Sequence, residues 1–180
     1  MSVSLSDRGT LLVPVAHEAL PLPDTLTLGA RAFVRKREHH ITVFGFDIGR
    51  VIGPCIADVR AAIDELAAAT DFGFATTSRW YQLARDKPRE LETVVMLVDA
   101  PGIAEFFARC AARLPELAPS LASADWRPPP PHITCFTSDP KGVDGIGLRL
   151  PDELEAAQQR AREGERQGLR AFLLSPSVMP

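Results

Sequence analysis

The chain reads as an α+β protein built on an antiparallel sheet, and three observations lead there. Strand patterns alternate with helical ones along its 180 residues. The short turn Asp86-Lys87-Pro88-Arg89 joins two strand patterns so closely that they must pair antiparallel. Thr93-Val94-Val95-Met96-Leu97-Val98 is apolar almost without a break, as a strand covered on both faces is.

Taken in order, residues 1–25 hold three prolines and little periodicity, which predicts an irregular lead-in with one short strand at Leu11–Val15. Thr25 to Ile48 reads as extended, through Ala32-Phe33-Val34, the basic Arg35-Lys36-Arg37 and then His39 to Phe44. Pro54 suits the first turn of a helix whose Ile56, Val59, Ile63 and Leu66 share one face. Phe72 to Arg85 is a long strand, and Leu91 to Val98 is the central one. Asp99 and Pro101 start a second helix with Ile103, Phe106, Cys110 and Leu114 as its buried stripe. Residues 115–131 are proline-rich and end in Pro128-Pro129-Pro130-Pro131, a stiff lead into a strand at residues 132–136. Gly142 to Gly147 is a loop in the wrong order for a dinucleotide fingerprint, Asp152 to Gly164 a charged surface helix, and Leu169 to Leu174 a closing strand.

Composition sets limits on function. Twenty Lys+Arg against 23 Asp+Glu leave a net charge of −3, too little basic excess to coat long nucleic acid. A local basic cleft for a small anion or an RNA end stays open. The longest apolar run, Val94 to Val98, is far short of the about 20 residues of a membrane span. Leu11 to Val15, interrupted by Pro14 and preceded by Asp7 and Arg8, is too short for a signal peptide. Cys55, Cys110 and Cys135 are odd in number and lack CxxC spacing, so neither a disulfide framework nor a thiolate zinc site is expected. The expectation is a reduced, cytoplasmic, monomeric protein without metal or cofactor.

One pattern occurs twice. Residues 40–47 read His-Ile-Thr-Val-Phe-Gly-Phe-Asp and residues 132–139 read His-Ile-Thr-Cys-Phe-Thr-Ser-Asp, with His, Ile, Thr, Phe and Asp shared in place. With 4 histidines in the chain, two such His-x-Thr triplets seldom arise by chance, and an internal duplication is the economical reading. On a strand, alternation sends His40 and Thr42 to one face and Ile41 and Val43 to the other; His132 and Thr134 are set against Ile133 and Cys135 likewise. Two such strands side by side would converge two imidazoles and two hydroxyls on one cleft. That constellation suits a phosphate ester: one imidazole takes a proton from the attacking oxygen, the other gives one to the leaving oxygen, and the hydroxyls donate to the non-bridging oxygens. An imidazole pKa near 6.5 lets one neutral and one charged ring coexist.

At these residues the chain resembles the two-histidine (2H) phosphoesterases, whose signature is a pair of His-x-Thr-x motifs on strands of two pseudo-symmetric lobes. Here the motifs are His40-Ile41-Thr42-Val43 and His132-Ile133-Thr134-Cys135. The resemblance implies two lobes with antiparallel sheets flanked by helices around a central cleft, in a single domain over residues 1–180. A first lobe at about 26–85 and a second at about 90–175 would each carry one motif. It implies metal-independent phosphodiesterase hydrolysis of a 2′,3′-cyclic phosphate or a 2′-5′ phosphodiester on a nucleotide or RNA end, with His40 and His132 as acid and base and Thr42 and Thr134 as oxyanion donors. The chain departs from the RNA 2′-5′ ligase branch in lacking its N-terminal Arg/Phe strand and in placing Cys135 where an aliphatic residue is common.

Other residues are weighed against plainer roles. His39 points away from His40 and reads as structural or surface, and His17 as solvated. Adjacent histidines face apart on a strand, so His39, His40 and His132 do not make a zinc site. Arg35 and Arg37, sharing a face, are candidates for the substrate's phosphates, with Lys36 on the other face. Either Trp80 or Tyr81 is a candidate base-stacking platform, the other packing in the core. Lys87 and Arg89 read as exposed on a hairpin tip. A binding module for nucleotides or RNA ends that keeps the cleft but does not turn over is the alternative function, and a metallohydrolase the third.

Overall fold

Alternating apolar residues make this chain a sheet protein, and the computed structural model, which describes residues 3–86, 88, 90–165 and 167–179, gathers its strands into one eight-stranded antiparallel sheet. The strands are β1 (Leu11–Val15), β2 (Thr25–Leu28), β3 (Arg31–Arg35), β4 (His39–Phe44), β5 (Ala75–Arg85), β6 (Leu91–Asp99), β7 (His132–Thr137) and β8 (Arg170–Leu174). Their order across the sheet is β1-β4-β7-β6-β5-β8, with the β2–β3 hairpin joined to β7 through β3. The helices are α1 (Phe46–Ile52), α2 (Ile56–Ala68), α3 (Pro101–Leu117) and α4 (Glu153–Glu163).

Hydrophobic patterning covers both faces of the sheet. On one face α2 (Val59, Ile63, Ala67) and α3 (Ile103, Phe106, Phe107, Cys110, Leu114) pack on Ile41, Val43, Phe44, Val94, Met96 and Val98. Each of these large side chains contributes about 1.5–3 kcal/mol by leaving water. On the other face Tyr81, Leu83, Val95 and Leu97 meet Ala157 of α4, Leu169 and Ala171, together with Ile146 and Leu148 from the segment after β7. β6 therefore sends Val94, Met96 and Val98 into one core and Val95 and Leu97 into the other, which is why its sequence is apolar throughout.

Several expectations shift in detail. The stretch from Thr25 to Ile48 is three strands and the start of α1, and the long strand begins at Ala75 instead of Phe72. Pro54 sits in a short 3-10 turn, Gly53–Cys55, that leads into α2. α4 stops at Gly164, whose φ of 70° is the left-handed cap that glycine adopts without strain. β5, grouped by sequence with the first half of the chain, lies between β6 and β8 because the hairpin after Arg85 pairs it with β6. Among the described residues no helix is long and apolar enough to cross a membrane.

Two irregularities of the sheet set up the site. Cys135 is an extra residue in β7: Val94 pairs with Phe136 but Val95 with Thr134. β3 and β4 both run along the same neighbour, Arg35 opposite Phe136 and Ile41 opposite Ile133, so six steps on one side match three on the other. Residues 36–38 therefore bulge out of the ladder between them.

Candidate active site

The site grows from the β4–β7 pairing. Ile41 and Ile133 face each other across the ladder and are fully buried, as are Val43 and Cys135, so these side chains hold both strands to the α2–α3 core. Alternation turns His40, Thr42, His132 and Thr134 to the opposite face. The same antiparallel register brings His40 alongside Thr134 and Thr42 alongside His132, with Cβ atoms of such neighbours about 4.5–5.5 Å apart. All four residues line one cavity of about 400 Å³, walled by Leu12 of β1, Phe46 of α1, Pro129 and residues 143–149. The sequence-predicted quartet is thus brought together on one cavity, two residues on either side of the Ile41–Ile133 pair.

The two imidazoles are not equivalent. His132 is 5% exposed, with Nδ1 2.8 Å from the Pro130 carbonyl and Nε2 3.2 Å from the Leu148 backbone nitrogen. A carbonyl only accepts and an amide N–H only donates, so Nδ1 carries the hydrogen and Nε2 the lone pair. Burial pushes the His132 pKa below 6.5 and nearby His40 adds to this, against the Pro130 carbonyl. His40 is half-buried, and no hydrogen bond engages its ring among the described residues. Its pKa is also lowered, first by burial and then by Lys36, with Glu38 opposing.

A strap of chain after β7 roofs the site. Asp139 accepts from the backbone N–H of Val143 and Asp144 at 3.0 and 2.8 Å, and Thr93 Oγ1 donates to the Ile146 carbonyl at 2.7 Å. Ile146 and Leu148 are buried in the second core, so the strap is packed rather than loose. It approaches His132 so closely that a Cβ on Gly147 would stand 2.5 Å from Nε2. Only glycine fits there.

The other sequence candidates lie elsewhere. Arg35 faces away from the cavity and donates to the carbonyls of Leu22, Leu20 and His17, tying down the lead-in. Arg37 is exposed and lines a neighbouring hollow with His17 and Glu18, which also reaches His40. Neither lines the quartet's cavity; Lys36 does, because alternation puts it on the face of His40 while Arg35, opposite Phe136, points to the other. Trp80 and Tyr81 are 7% and 8% exposed and belong to the two opposite cores, so neither offers a stacking face to the cavity. Facing apart on β5 between two covered layers, both are consumed by packing. His39 is buried, its ring edge-on to His17 at 4.7 Å, and His17 is solvent-exposed as expected, with Nε2 2.7 Å from the Arg37 carbonyl. Lys87 and Arg89 lie outside the described residues.

Sequence reading missed Lys36 and the strap. Counting back by twos from His40 through residue 38 reaches Lys36, and that parity was the available signal. The strap carried none, since its glycines read only as a turn. Cys135 and Cys110 are buried with thiol pKa values pushed up to about 12, which removes them as nucleophiles. Among the described residues no three His, Cys, Asp or Glu side chains converge as a metal site would require. Compared with family models, curated proteins and solved structures, the chain finds no match.

Proposed function

We propose that this chain is a phosphoesterase of the two-histidine kind, its two lobes meeting at the β4–β7 ladder, that opens a 2′,3′-cyclic phosphate or cleaves a 2′-5′ phosphodiester on a nucleotide or RNA end. The observation that carries the reading is the convergence of His40, Thr42, His132 and Thr134 on one cavity from paired strands. All four come from one chain, so a monomer suffices, and three buried free thiols fit a reducing cytoplasm.

The unequal rings suggest unequal roles. His132, neutral with its lone pair on Nε2, is the base: it takes the proton of an attacking water as the oxygen bonds to phosphorus. His40, open to solvent and able to exchange protons, is the acid: as the bond from phosphorus to the ribose oxygen breaks, it protonates that oxygen. Thr42 and Thr134 donate to the non-bridging oxygens while charge builds on them. Exchange with solvent returns the surplus proton to His40.

A second reading, a nucleotide- or RNA-end-binding module, has its own support in the Leu148 N–H that already occupies the His132 lone pair. Chelator-treated protein incubated with 2′,3′-cyclic nucleotides and 2′-5′ dinucleotides separates the two. Turnover that falls about 10²–10⁴-fold in both His40→Ala and His132→Ala supports the enzyme. Tight binding without product supports the module, and loss of activity on chelation supports a metallohydrolase.

A further inference from the structure

Lys36 is a charge that the His–Thr quartet does not account for. At 9% exposed it is the most deeply buried Lys, Arg, Asp or Glu among the described residues. Burying an ammonium is costly unless its surroundings compensate. Its Nζ donates to the Val143 carbonyl, and Asp144, Asp139 and Glu38 act on it through space. An ammonium has three hydrogens to place, and a backbone carbonyl takes one.

Its position is the second observation. The bulge at residues 36–38 exists because β3 and β4 both pair with β7, and the Lys36 backbone N–H is held by the Cys135 carbonyl at 2.9 Å. That places the side chain on the quartet's face, where it lines the same cavity. A Cβ built on Gly145 would lie 3.4 Å from the Thr134 methyl and 3.6 Å from Lys36 Nζ, so hydroxyl residue and ammonium flank the same point under the strap. Fastening the strap to the sheet needs only a neutral donor. A full charge beside the His40 imidazole hinders its protonation and is offset when an anion enters.

We propose that Lys36 is the anion-binding residue of this cleft, its ammonium holding a non-bridging oxygen of the phosphate on which His40 and His132 act. The proposal rests on the phosphoester reading of the quartet and adds to it a fixed positive charge. With it, the site offsets the charge that builds on phosphorus oxygens whichever imidazole holds the proton.

Inorganic phosphate is the probe. Titrated into the wild-type chain it should move the Lys36 side-chain amine resonance, and Lys36→Met should weaken phosphate binding by between about 10- and 100-fold, the worth of a charged hydrogen bond. Lys36→Arg should recover most of the affinity, which a merely structural fastener has no reason to do. Unchanged phosphate affinity in Lys36→Met overturns the proposal, whatever happens to its melting temperature. Should that variant fail to fold, an unmoved Lys36 resonance in wild type at saturating phosphate overturns it equally. Phosphate held through Lys36, in a protein that turns over neither cyclic phosphates nor 2′-5′ dinucleotides, upholds this proposal while the enzymatic reading falls.

Discussion

Ile41 and Ile133 meet face to face across the β4–β7 ladder, both fully buried, and their register puts each threonine of the site beside the opposite histidine. By that register Thr42 lies beside His132 and Thr134 beside His40, so each hydroxyl sits next to the ring from the other half of the chain. Thr42→Val and Thr134→Val keep the shape and remove the donors. Each should lower kcat by about 10²–10³-fold, the effect of losing one preformed oxyanion donor, while the melting temperature stays near wild type. A melting temperature that collapses alongside kcat would recast these hydroxyls as structural.

Gly147 has no room for a side chain because its added Cβ would sit 2.5 Å from His132 Nε2, within the ring's own contact distance. Gly147→Ala must either lift the strap or turn the imidazole, and either breaks the Leu148 N–H contact that orients it. We expect a fall in kcat/KM of tenfold or more, with a destabilisation of about 1–3 kcal/mol. Gly145→Ala is the control: its Cβ meets nothing closer than 3.4 Å, so its urea midpoint should stay close to wild type.

What the sequence revealed of this arrangement depended on range. Alternation is local, so the facing of His40, Thr42, His132 and Thr134, and the double covering of β6, could be read directly. The stripes of α2 and α3 were equally plain. Which strands become neighbours is not local, and neither is a bulge. The surplus at 36–38 arises from two strands sharing β7; parity is kept across it, so Lys36, and not Arg35 or Arg37, lines the cavity with His40. Trp80 and Tyr81 looked available because neighbours on a strand face apart, yet both faces of β5 are covered. The strap escaped notice since its contribution is made by backbone N–H and by a missing Cβ, which composition does not advertise.

His39 makes the fold sensitive to acid. Burial, with His17, Arg35 and Lys36 adding positive charge, holds its pKa down to about 4, against 6.5 for the unfolded chain. The folded state therefore binds fewer protons between those values, so stability is complete above pH 6.5 and is lost as pH falls toward 4. The loss from this one residue is about 3 kcal/mol by pH 4. His40 and His132, also lowered by burial, add in the same direction. Urea midpoints at pH 7.0 and 4.5 should differ markedly in wild type and much less in His39→Leu; equal slopes would remove His39 as the cause.

On the proposed mechanism the same burial would set the pH range of turnover. Hydrolysis as drawn needs His132 neutral and His40 protonated, and both pKa values lie below 6.5. The bell in kcat/KM should therefore peak on the acid side of pH 6.5. His40 faces Lys36 and Glu38 from the bulge and His132 from β7, with Asp144 and Arg149 of the strap lining the same cavity. Of these Lys36 is the named depressant and Glu38 its opponent. Removing the ammonium in Lys36→Met favours the imidazolium, so the alkaline limb should move to higher pH even as the peak rate drops. Glu38→Gln should move that limb the other way. Opposite displacements from two neighbouring residues would identify His40 as the proton donor, because a rate limited by strap motion or product release would shift with neither charge.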